Sequence, residues 1–174
     1  MKITRRGVLA GAAAVSTAGL AQWRWLQGSN AILLFDEKLS AGRRFAEAGR
    51  AAGERVRPLT GDRIRLARGV LESEPTLILG ISRHADAMMI ADVAREAGYV
   101  PAAEFAADKD RCTLDACNPA FAWNGRRVQG AEANWPEAFA DWAAADSRPV
   151  SKTSKSDGMS DFGLVLGWVL QSRG

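Results

Sequence analysis

Apolar positions in this chain alternate between short unbroken runs and longer stretches with helical spacing. Ala31-Ile-Leu-Leu-Phe35 is an unbroken run suited to a strand buried on both faces. From Ser40 to Gly53 the apolar residues Phe45, Ala48, Gly49 and Ala52 recur at helical spacing, and Gly53 is a natural stop. Val56–Leu59 reads as a weaker strand ending at Thr60-Gly61. Asp62 is placed to cap a second helix whose Ile64, Ala67, Val70 and Leu71 share a face, with Pro75 closing it. Thr76–Ile81 is the strongest strand signal, and Ala85–Gly98 follows as a helix with Ala87, Ile90, Ala91 and Ala94 inward. Tyr99–Phe105 is a fourth strand, which Pro101 marks as an edge. This β-α-β-α-β-α-β rhythm predicts an α/β fold. The expected form is a small doubly wound parallel sheet, flavodoxin-like or Rossmann-like, with helices on both faces and strand order 2-1-3-4.

The pattern changes after Ala106. Asp108–Pro119 is polar. Asn124-Gly125, between short strand-like flanks in Phe121–Val128, predicts a β-hairpin. Asn134, with Glu137 three residues on, predicts a capping box before a helix whose apolar face is Trp135, Ala138, Phe139 and Trp142. The domain thus covers 31–146, with the hairpin and last helix as a C-terminal extension. Residues 147–161 form a polar loop and 162–174 an apolar segment. Its run Phe162–Leu170 is too short to span a bilayer, and it packs either into the core or onto another subunit.

The first residues carry a different kind of information. Thr4-Arg5-Arg6-Gly7-Val8-Leu9 opens an uncharged run from Gly7 to Ala21 that ends in small residues. It resembles a twin-arginine (Tat) export signal. The resemblance implies folding before export to the periplasm, with cleavage before Gln22 and a linker over 22–30. Retention is the alternative: residues 1–26 would anchor the chain to the inner membrane, with Trp23 and Trp25 at the interface. Lys2, Arg5 and Arg6 account for the whole positive excess of the chain. Without them 20 basic residues face 20 acidic ones, so nucleic acid is not an expected partner.

Cys112 and Cys117 stand C-x4-C apart, and in an oxidising compartment they are expected to form a local disulfide. The single histidine, His84, is far from them in sequence. No metal set, haem attachment site or iron–sulfur arrangement is legible, so no metal and no cofactor are evident. Open parallel sheets bind ligands outside the carboxyl ends of their strands. That rule selects Asp36, then Asp62, then Arg83, His84 and Asp86. His84 and Asp36 are the candidate catalytic pair, with His84 as general base, and Asp62, Arg83 and Asp86 the candidate ligand-binding residues. Asp36-Glu37 resembles the acidic pair of receiver domains, but the Asp and Lys expected further on are missing. Neither G-x-G-x-x-G nor G-x-S-x-G is present.

Trp123, Arg126, Arg127 and Trp168 are the candidate interface residues, since tryptophan and arginine are enriched at binding hot spots. The leading functional expectation is an accessory or small subunit of a Tat-exported periplasmic redox enzyme complex, which docks, matures or anchors a larger catalytic subunit. The alternative is a small periplasmic α/β enzyme or ligand-binding domain acting on an anionic small molecule at the strand-end loops.

Overall fold

The computed structural model describes residues 30–108, 111–115, 122–143, 161 and 163–173. Five α-helices and six strands form among them. In chain order these are β1 (Ala31–Phe35), α1 (Ser40–Ala51), β2 (Arg55–Pro58), α2 (Arg63–Leu71), β3 (Leu77–Ser82), α3 (His84–Glu96), β4 (Tyr99–Asp108), β5 (Arg111–Asp115), α4 (Ala122–Gly130), α5 (Trp135–Ala143) and β6 (Val165–Ser172). Gly53 and Gly98, just past α1 and α3, have φ of +83° and +86°, a conformation in which a Cβ is strained.

The fold is α/β with a mixed sheet in the order β2-β1-β3-β6-β4-β5. Strands β2, β1 and β3 pair in parallel, while β6 runs antiparallel to both β3 and β4, and β5 antiparallel to β4. The expected 2-1-3 start is present. The all-parallel sheet and the adjacency of β3 and β4 are not, because β6 is inserted between them. This strand is Val-Leu-Gly-Trp-Val-Leu along its buried length, an apolar run that is satisfied only in the interior.

Period-two alternation sends the residues of β6 to two cores. Val165 and Val169 join Leu33, Leu79, Phe45, Phe105, Phe139 and Trp142 beneath α1 and α5. Leu166, Trp168 and Leu170 join Ile32, Leu34, Ile78, Leu66, Val70 and Ile90 beneath α2 and α3. In the first core Phe139 stacks on Phe45 and meets Phe105 edge-on, each at 5.1 Å between centroids. Arg44 of α1 grips Glu137 of α5 through two bonds of 2.7 Å.

Several local expectations change. Tyr99–Phe105 belongs to an interior strand rather than an edge. The register shifts between Pro101 and Ala103, which absorbs the missing N–H of proline. The Asn124-Gly125 hairpin is replaced by α4, whose Val128 is fully buried in the first core, and the hairpin of this region is β4–β5. Arg126 and Arg127 therefore stand on a helix and not at a turn. Glu137 does not close a capping box, since its carboxylate is committed to Arg44. Ile64 points outward at 46 % exposure, and Leu66 takes its place inside. The export signal or anchor, Cys117, most of the 147–161 loop and the side chains of Cys112 and Trp123 lie outside the described residues.

Candidate functional site

At the carboxyl end of β1 the chain turns through Asp36, which is 7 % exposed. Its Oδ1 accepts from the Lys38 amide at 2.9 Å, and its own amide donates to Ile81 O at 2.9 Å. The turn rests directly on α1: a Cβ at Gly42 would lie 2.3 Å from Asp36 O, so only glycine fits. Leu39 holds the N-cap position of α1 and has no side-chain acceptor. Asp161, entering from the C-terminal segment, supplies one. It accepts from Ser40 N (2.7 Å), Ser40 Oγ (2.8 Å) and Ala41 N (3.0 Å). The helix N-terminus where an anion would bind thus holds the protein's own carboxylate.

The other strand ends are also internally matched. Asp62 caps α2 by accepting from Arg65 N at 2.9 Å, and that bond holds its carboxyl below the usual aspartate range. Arg63 donates to both oxygens of Asp86 (2.8 and 3.3 Å) and to Gly61 O (2.9 Å). The Asp86 bond, aided by the charges of Asp86 and Asp36, raises the guanidinium pKa further. Ser82 is fully buried, donates to Arg83 O and accepts from the Trp168 indole, each at 3.0 Å. Arg83 reaches Leu164 O at 3.3 Å.

His84 takes a different direction. It stands two positions before Asp86, about 200° around a helix. Asp86 faces α2, whereas His84, Met88, Ala91 and Arg95 follow one another along the flank of α3 that faces β4 and β6. There they wall a groove of about 180 Å³ with Pro101 and Trp168, and Asp92 and Glu104 bring carboxylates to its rim. The groove exists because the helices are unevenly distributed. α2 and α3 cover β2, β1, β3 and β6 on this face, while α4 and α5 pack on the other, leaving Pro101 and Glu104 of β4 exposed. Met88 is 52 % exposed beside the groove.

The structure joins Asp86 to Arg63, a residue the strand-end rule does not select, while His84 lines the groove beside α3. Trp168, a candidate interface residue, is 4 % exposed and covers Gly80 from within the core. Arg126 is exposed on α4, and the charge of Arg127 acts on Asp141 of α5. Asp161 was unselected too. Its one sequence signal is indirect: a helix starting after Leu39 has no local cap. Among the described residues no three His, Cys, Asp or Glu side chains gather as a metal set, and no helix is long and apolar enough to cross a membrane. No protein-family model, curated protein or solved structure matches the chain.

Proposed function

We propose that the chain is a docking subunit of an exported complex, holding a larger enzyme subunit through the groove between α3 and the β6–β4 ladder. One observation carries this reading. At the strand ends Arg63 is paired with Asp86, Ser82 with Trp168 and Asp161 with Ser40, whereas the open concavity is floored by apolar side chains. Binding there needs shape and apolar burial, which suits a protein partner, and no paired nucleophile and base stand in it. The test is native mass spectrometry of protein extracted from its host in mild detergent. A stoichiometric partner should persist with Arg83→Ala and be lost with Ala91→Arg, while circular dichroism stays unchanged. A strictly monomeric native protein sinks the reading.

A second reading, an anionic ligand at the strand-end loops, has one observation in its favour: the α1 N-terminus is already shaped to hold a carboxylate. It requires Asp161 to leave. If Asp161→Ala gains no binding of inorganic phosphate by calorimetry, this reading is excluded.

A further inference from the structure

We infer that α2 and α3 together form a self-complementary face, through which two copies of this chain pair about a two-fold axis running along the helices. The inference goes beyond the docking reading and does not rest on it. Its determinants stand on the outer sides of the two helices, not on the floor of the groove. Two observations carry it.

The first is an exposed apolar patch. α2 and α3 cover the same core and are tied by the Arg63–Asp86 pair. Leu66, Ala67 and Val70 of α2 turn inward, as do Ala87, Ile90 and Ala94 of α3. The opposite side of α2 then carries Ile64 and Arg68, continued by Glu72, and that of α3 carries Met89, Asp92 and Glu96, all exposed. Among the described residues, Ile64, Met88 and Met89 are three of the four large apolar side chains left exposed, at 46, 52 and 41 %. They gather in the first two turns of the two helices.

The second is charge complementarity at matched levels. β2 and β3 run parallel, and β4 runs the same way as β3 because both are antiparallel to β6. Each helix returns from the end of one of these strands to the start of the next, so α2 and α3 run in the same direction. The Arg63–Asp86 pair sets a common level. At a rise of about 1.5 Å per residue, Ile64 lies ~1.5 Å beyond it, and Met88 and Met89 ~3 and ~4.5 Å. Arg68 lies ~7.5 Å beyond it and Asp92 ~9 Å. A two-fold axis along the helices keeps every level and exchanges the two sides. It therefore lays α2 of one copy on α3 of the other, twice over. Ile64 meets Met88 and Met89, and Arg68 meets Asp92. Among the described residues Arg68 makes no ion pair, and Asp92 is held only by Arg95 of its own helix, in a pair that is more than half exposed. Glu72 and Glu96 come level at the far end and repel. An anionic lipid surface fits this face worse than a second copy does, since it would attract Arg68 and repel Asp92 and Glu96. The 13 residues of α3 make the face about 20 Å long, and two adjacent helices make it about 20 Å wide. That is small beside the ~800 Å² per partner of a standard interface, so the dimer forms in a concentration-dependent way.

The experiment is analytical ultracentrifugation of the full chain in mild detergent over a concentration series. The native chain should pass from monomer to dimer. Arg68→Asp and Asp92→Arg should each abolish the dimer by setting like charges opposite one another. The double variant Arg68→Asp/Asp92→Arg should restore it, and restoration also shows that both substitutions are tolerated by the fold. Glu72→Lys should move the transition to lower concentration by removing the repulsion from Glu96. A native chain that stays monomeric at every concentration overturns the inference. So does a dimer that survives both single reversals, or one that the charge swap fails to restore while circular dichroism is unchanged. These failures are separable from failure of the docking reading. A single copy bound to a larger foreign subunit overturns the dimer and leaves docking intact, whereas a dimer without any foreign subunit does the reverse.

Discussion

Single residues in this protein are constrained most tightly where β3 and β6 meet. A Cβ on Gly80 would lie 2.1 Å from the Trp168 ring, so Gly80→Ala should cost about 1–3 kcal/mol by overpacking. Trp168→Phe loses the bond to Ser82 and should cost a similar amount, ~1–3 kcal/mol. The two residues share one space. The double variant, read by urea denaturation, should therefore fall short of the sum of the singles; strict additivity would show that the ring does not cover Gly80. Two carboxyls give opposite pH responses. Asp62 is held below its ordinary 3.8 by the Arg65 amide, so its stabilisation is present above that value and is lost as pH falls through the lower folded one. Burial raises Asp141, an effect Glu137 strengthens and Arg127 opposes. Its charged form is disfavoured by folding, and stability is lost as pH climbs from 3.8 through the folded pKa. Asp141→Asn should raise Tm at pH 7 and do nothing near pH 3, checked by calorimetry at both. The strand-end residues were legible by type and by loop, because ligand-edge loops follow from strand ends. Their pairings were not, since Arg63 meets Asp86 only after α2 and α3 lie side by side.

Elements with a strong period of their own were legible to within a few residues. β1, α1, β3 and α3 carry unbroken apolar runs or clear helical faces, and Asp62 marks the start of α2 by local capping chemistry. Elements whose state depends on neighbours were not. α4 contains Asn-Gly and reads as a turn, yet the burial of Val128 against α5 outweighs the local preference. The same dependence governs α1, whose cap comes from Asp161, more than a hundred residues away. Asp161→Ala should cost about 1–2 kcal/mol, the price of a lost N-cap. Arg44→Met should cost roughly 2–3 kcal/mol by leaving Glu137 charged and mostly buried between α1 and α5. Thermal melts of both variants check these magnitudes, and wild-type Tm in either would remove that contact from the account.

The whole molecule depends on its last strand. Among the described residues, β6 is the one sheet connection between the β2-β1-β3 half and the β4-β5 half. A chain ending at Leu164 should therefore lose cooperative unfolding altogether, and a sharp calorimetric transition in that truncation would contradict the topology. The same strand places Trp168 at the floor of the groove, so folding and the proposed docking surface share one element. By itself the sequence determined the α/β class, the successive β-α units up to β4, the turn glycines and the loops that meet at the strand ends. These follow from periodicity and backbone chemistry acting over a few neighbouring residues. Only the tertiary structure decided that the C-terminal run becomes an antiparallel central strand, that Arg63 pairs with Asp86, and that a groove opens beside His84. Each of these joins residues far apart in the chain, and the energies that choose among such pairings reside in packing rather than in any local pattern.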